Sequence, residues 1–219
     1  MSFSREAALE ALTALYINGS TEFGSDFYPA LLRADPGEDC LSFDEPLDDA
    51  GYSRPHLTAG TTDFNLPAIV TNAYQVTNKI ALSWGTAAGS IGTIPYFAMM
   101  DRPGTGYAIS AVTDAAAGSG AFSVDSSILS TLNVGAILAV IGSTGNDAIY
   151  HVRSGSSYSA PTTTINVEEA VADSTVDGTI YVLGRVVDKG AWDAARTVGA
   201  GEPMTCSPGN MKLKYKTIF

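Results

Sequence analysis

The sequence predicts a mainly β protein, a sandwich or barrel with one helix at its N-terminus. Three observations carry this. Short apolar or alternating segments recur at spacings of roughly eight to twelve residues, the rhythm of an antiparallel sandwich or barrel. Gly, Asn, Asp and Pro sit between these segments as turn formers. Only residues 4–17 carry apolar positions at helical spacing.

In that first segment Ser4 is a candidate N-cap and Glu6 lies in the first turn. Ala8, Leu12, Leu15 and Tyr16 form one apolar face, and Asn18-Gly19 supplies a left-handed stop. Residues 27–32 (FYPALL) read as a short strand, with Pro29 calling for an edge position or a bend. Residues 35–49 form an acidic loop. It reads either as solvated or as a weak Ca²⁺ or Mg²⁺ site, although it lacks the spacing and Gly of an EF-hand loop. A polar passage follows through Asn65. Alternation resumes from Asn72 to Trp84, and residues 85–92 read as a loop. Residues 94–100 (IPYFAMM) are continuously apolar, as in a central strand, and Asp101 and Pro103-Gly104 end them.

Residues 114–120 (DAAAGSG) read as a linker. Strands are then expected near 121–124, 136–141, 148–153, 163–168 and 179–183, the last behind the turn dipeptide Asp177-Gly178. Ser157 reads as a loop tip. The Gly- and Ala-rich passage around Trp192 suggests one helical turn. A final strand at 211–215 sets Lys212, Lys214 and Lys216 opposite Met211, Leu213 and Tyr215.

Composition bounds the function. The chain has 219 residues, 45% of them hydrophobic and 16% charged, which is enough for a core and is not the signature of disorder. A net charge of −11 argues against binding nucleic acid or an anionic membrane surface. No apolar run approaches the roughly 20 residues that span a bilayer, so no membrane insertion is expected. The polar start after Met1 lacks the order of a secretory signal, and synthesis and folding in a cytoplasm are expected. Cys40 and Cys206 read as two free thiols, or as one bridge if their loops meet.

Set side by side, five pieces of the chain resemble a known group. They are ALYINGSTEFGSDFYPALLRADP (14–36), GYSRP (51–55), VTNAYQVTNKIALSWGT (70–86), IPYFAMMD (94–101) and GAGEPMTCSPGNMKLKY (199–215). In this order they resemble the small bacteriophage proteins usually labelled tail-fibre proteins. The pattern there is an N-terminal helix, an apolar strand ending in DP, a GYxR turn, a TN…V strand running into WGT, and a final hairpin. That group usually has Thr-Val-Thr-His after the Trp-Gly pair; here Thr86 and a Gly/Ala/Ser loop follow. Residues 143–182 also resemble a small β module that recurs in phage virion proteins, with the skeleton TGND-x-x-Y-x-V, T-T-I-x-V and DGTI.

The resemblance implies a β-sandwich host domain with one N-terminal helix, residues 1–117 plus 184–219, and an inserted small β-barrel-like module, residues 118–183. It implies a non-enzymatic virion structural protein, either a tail-fibre-like appendage or a capsid decoration (cement) component. Its partners would be other capsid or tail proteins, in a homo-oligomer with a trimer favoured.

The residues themselves offer no catalytic, cofactor or metal motif. His56 and His151 are the only histidines, and a hydrolytic triad would need one of them in a cleft with both partners. His151 lies in an alternating strand and reads as solvent-facing. Candidate interface residues are Lys212, Lys214, Lys216, Phe219, Trp84, Tyr150, Tyr158 and Tyr181. The lysine face reads as a guarded edge or as a contact for an acidic loop of a neighbouring subunit. Trp84 and Trp192 read as core or as an exposed platform. The alternative function is a host-surface carbohydrate-binding module, which requires Tyr150, Tyr158 and Tyr181 exposed on one concave face.

Overall fold

The computed structural model describes residues 5–20, 22–70 and 73–216. The protein is mainly β, with one short N-terminal helix and several antiparallel sheets. Helix α1 (Arg5–Leu12) opens it and continues into one wider turn, Thr13–Ile17, closed by Asn18 N–H donating to Thr13 O at 3.0 Å. Next come β1 (Asp26–Leu32), β2 (Leu57–Thr58), β3 (Ala68–Val70), β4 (Ala73–Thr77), β5 (Leu82–Thr86) and β6 (Gly92–Met100). They are followed by β7 (Thr105–Ala108), β8 (Ala111–Thr113), β9 (Ala121–Val124), β10 (Ile137–Ile141), β11 (Ala148–His151), β12 (Ser157–Ser159), β13 (Thr162–Asn166) and β14 (Thr179–Gly184). β15 (Val186–Val198), β16 (Pro203–Cys206) and β17 (Lys212–Lys216) close the chain. It divides into two compact units: residues 1–35, 44–101 and 187–219 form the first, and residues 36–43 and 102–186 the second.

The first unit gathers three sheets and α1 around one core, a sandwich-like arrangement. One sheet has the order β15-β6-β1-β2, another β17-β4-β3, and β16 pairs with β5. Phe27 and Leu31 of β1, Phe97 and Met99 of β6, Trp84 of β5 and Val76 of β4 share this core with Ala8, Leu12 and Tyr16. The helical face read from the sequence therefore does its work by burial; burying each large side chain contributes about 1.5–3 kcal/mol. β6 is central as expected, and Phe97 to Met100 are buried on both faces.

Pro29 shows how the first unit handles an interrupted edge. β2 pairs only with Asp26 and Phe27, so β1 beyond them has an open side. Pro29 has no N–H to leave unsatisfied there. Its carbonyl accepts Trp84 Nε1–H at 2.6 Å, and Leu31 N–H donates to Tyr52 Oη at 3.0 Å. Two aromatic side chains thus stand in for the missing strand.

Three expectations are corrected in the first unit. The alternation from 72 to 84 belongs to two strands, β4 and β5, in different sheets. The break is Asn78, fully buried, whose amide donates to Ile80 O and Ser207 O and accepts from Met211 N–H. The segment around Trp192 is strand, not a helical turn, because pairing with β6 overrides the helical preference of Ala194 and Ala195. The passage between Asn65 and Asn72, for which no strand was expected, contains β3.

The second unit consists of two four-stranded sheets, β11-β10-β14-β7 and β12-β13-β9-β8. Leu138, Val140, Tyr150, Ile180 and Val182 of one face Phe122, Val124 and Ile165 of the other across one core. A bridge between Val152 and Val167 joins the sheets on one side. On the other side the chain passes from β7 directly into β8, with Ile109 N–H on Gly178 O and Ser110 N–H on Ser123 O. The module is therefore barrel-like. It begins at residue 102 rather than 118, since β7 pairs with β14 and β8 with β9. The expected linker at 114–120 is tied into it as well: Ala115 bridges Val171 and Gly118 N–H donates to Glu168 O. Ser157 starts β12, and the adjacent turn lies at Ser154-Gly155.

Candidate functional site

The acidic loop is structural rather than an open ligand cluster. Asp44 accepts Arg33 at 2.6 Å. Asp49 caps two loops at once, taking Gly51 N–H at 2.8 Å, Ala88 N–H at 2.9 Å and Gly89 N–H at 2.8 Å. Those bonds to Ala88 and Gly89 hold its carboxyl below the ordinary carboxylate range. Glu45 is buried and takes two bonds from Arg54 (Nε at 2.7 Å, Nη2 at 2.5 Å) and one from Tyr52 Oη at 2.5 Å. Burial, then the Glu45 charge, pushes the Tyr52 hydroxyl well above its usual value. Among the described residues no three His, Cys, Asp or Glu side chains are placed to hold a metal.

Each histidine has one carboxylate partner. His56 Nε2 meets Asp26 Oδ1 at 2.6 Å, and its ring stacks on Tyr28 at 5.1 Å. His151 is half-buried rather than solvent-facing: Glu169 accepts both its backbone N–H, at 2.7 Å, and its Nδ1, at 2.6 Å. The pairing reverses the expectation because Glu169 lies on the segment that crosses beside β11, a contact invisible in local alternation. Cys40 and Cys206 are both free thiols.

The interface candidates separate into three groups. Trp84 is buried, edge-on to Trp192 at 6.3 Å, and Trp192 packs on Phe97 at 4.7 Å. Tyr150 is buried too, its hydroxyl donating to Asn146 O at 3.1 Å. Both are core residues, not interface. Tyr158 is exposed on β12, while Tyr181 is half-buried on β14 with its ring over Gly106. The three tyrosines therefore do not form one exposed aromatic face, as the carbohydrate-binding alternative requires.

Lys212 and Lys214 do share a face of β17, but they converge on Asp193 of the first unit, Lys214 at 3.8 Å. The hydrogen bond from Lys212 holds the Asp193 carboxyl below its ordinary range. Lys216 ends the strand, with its side chain outside the described residues, and Phe219 lies outside them altogether. Beside this cluster is a groove of about 420 Å³ lined by Trp84, Trp192, Asp193, Arg196, Ser207 and Asn210.

Sequence reasoning missed two further features. One is Asp188 on β15, whose carboxylate accepts Tyr16 Oη at 3.1 Å and Lys189 N–H at 2.8 Å. Burial outweighs those bonds and pushes its carboxyl up to about 6. An acid raised in the folded state costs stability while ionised, and this cost disappears as pH falls through 6. Acidifying from about pH 7 to about pH 5 is therefore expected to add roughly 1 kcal/mol through this group. Thermal melts of Asp188→Asn should lose that gain; an unchanged pH slope in the variant would assign it elsewhere.

The other is the edge at β3, where Leu66, Ile69 and Val70 are 63%, 45% and 46% exposed. The sequence carried no distinguishing signal for it, since charge-free stretches also run over 80–100 and 126–146. Comparison of the chain with protein-family models, with curated proteins and with solved structures returned no match.

Proposed function

We propose that the chain is a non-enzymatic bacteriophage virion structural protein, a tail-fibre-like appendage or a capsid decoration component, working through protein–protein assembly. The observation that supports it most is where the pieces of the resemblance fall. Gly51-Tyr52-Ser53-Arg54 runs directly against Trp84-Gly85-Thr86, with Ser53 N–H donating to Trp84 O at 2.9 Å. Tyr52 and Trp84 then close the open side of β1 within the 14–36 piece. Segments distant in sequence but quoted together for the resemblance pack against one another in the first unit, which supports treating them as one pattern. Asp44, Glu45, Asp49 and both histidines have hydrogen-bond partners within the fold, which suits a protein that acts through its surfaces.

A tag inserted in the turn at Ser154-Gly155 tests the reading by electron microscopy of labelled intact particles. Label over the whole head assigns decoration, and label at one pole assigns the tail. Tagged chain absent from purified particles, while folded in the lysate, would remove the virion reading.

A further inference from the structure

The groove of the first unit combines an apolar lining with a cation that the fold does not use. Its volume of about 420 Å³ lies within the range of ligand sites, roughly 300–1,000 Å³. Its lining includes Ile94, Met204 and both tryptophans of the chain, Trp84 and Trp192. It also includes two charged side chains, Asp193 and Arg196. Asp193 is already held by Lys212 and Lys214. Arg196 is exposed, and among the described residues its guanidinium has no ion-pair or hydrogen-bond partner. Residues 193–216, which supply most of the lining, carry Arg196, Lys212, Lys214 and Lys216 against Asp193 and Glu202, in a chain of net charge −11. Both β15 and β16 contribute to the groove, and each ends its sheet, so each has an edge with no strand beside it among the described residues.

We propose that this groove binds an extended acidic segment of a partner protein, which brings a carboxylate to Arg196 and an apolar side chain onto the tryptophan-lined part. Charge complementarity sets the sign of the occupant. Arg196 is the charge in the lining that the fold leaves uncompensated, and a guanidinium pairs a carboxylate with two parallel hydrogen bonds. The lysines on Asp193 keep that carboxylate from repelling an incoming acid. The apolar part of the lining calls for a hydrophobic side chain beside the acid, whose burial supplies affinity without charge. Strand edges favour an extended chain over a compact ligand, because a chain laid along one satisfies its own backbone groups there. The proposal goes beyond the assembly reading above and stands whether or not the protein belongs to a virion.

Titration of the full chain, followed by its tryptophan fluorescence, tests it, because both fluorophores line the groove. The peptide acetyl-Ser-Glu-Leu-Glu-Ser-amide is expected to shift the emission saturably. Replacing both of its Glu residues by Gln, or Arg196→Gln in the protein, should weaken binding about tenfold, the worth of one charge-assisted hydrogen bond. Val134→Asp makes the same change in net charge at a 65% exposed position of the second unit and should leave binding unchanged. The absence of a saturable shift overturns the proposal. So does equal binding of the Gln peptide, undiminished binding by Arg196→Gln, or a loss in Val134→Asp. N-acetyl-leucine binding as tightly as the peptide would overturn it in favour of a small carboxylate. Pairing of the chain with itself in sedimentation equilibrium, lost in Arg196→Gln, would overturn it in favour of a second copy.

Discussion

Gly51→Ala is expected to abolish folding of the first unit. A Cβ on Gly51 would lie 1.7 Å from Thr86 O and 2.9 Å from its carbonyl carbon, both backbone atoms. The crossing is reciprocal: a Cβ on Gly85 would lie 2.1 Å from Gly51 O, and Gly85 also holds φ at +97°. Neither segment can retreat without breaking what it supports. On the Gly51 side that is the Ser53–Trp84 backbone bond and the Tyr52 hydroxyl; on the Gly85 side it is the Trp84 bond to Pro29. The loss should be on the order of 4 kcal/mol or more, at the extreme of single substitutions. Soluble yield and the near-ultraviolet circular dichroism of the tryptophans report it. Gly89→Ala is the matched control, since its nearest neighbour would be Asp49 Oδ2 at an ordinary 3.7 Å. A Gly51→Ala protein that melts with the wild type would show that the two segments are not in close contact.

Glu45→Gln should be the next most damaging change. The Glu45 and Arg54 side chains are 0% and 1% exposed, and burial alone would pull the guanidinium down. The Glu45 charge outweighs that and holds it above its ordinary value. Removing one partner of such a pair leaves a buried charge uncompensated and costs about 3–5 kcal/mol. For a chain of this size that lowers the melting temperature by roughly 10 °C. Replacing both, as Glu45→Leu with Arg54→Met, should recover most of the loss, because the desolvation cost disappears together with the attraction. A double variant as unstable as Glu45→Gln would mean that the pair's geometry, not its charge balance, holds the loop.

These two sites mark where the sequence could and could not be read. Five strands of the second unit, β9, β10, β11, β13 and β14, were legible because each announces itself locally; β7, β8 and β12 were not read. Ile137 to Val140 is a continuous apolar run buried on both faces, and Asp177-Gly178 turns the chain with Gly178 at φ +80°. Nothing local separates Glu45 from Asp48 or Asp39 in the same acidic loop. Its burial depends on Arg54 and Tyr52 returning to it across a turn. Trp84 was read both as a core residue and as an interface candidate, and the bond to Pro29 that decides for the core crosses 55 positions. β3 escaped notice because three exposed residues leave no alternation to detect, and the β15 strand because Ala-rich sequence prefers helix until a neighbour supplies the pairing.

The chain order of the two units has a consequence for biosynthesis. Among the described residues strands β7 to β14 pair only with one another, so all of these partners have left the ribosome once residue 186 emerges. β6, β5 and β4 must wait for β15, β16 and β17, which follow the second unit in the chain. During that interval the apolar Ile94 to Met100 stretch lacks one of its two lateral neighbours. The nascent protein is thus vulnerable to aggregation until β15, β16 and β17 have emerged, and slow codons in that stretch would prolong the hazard.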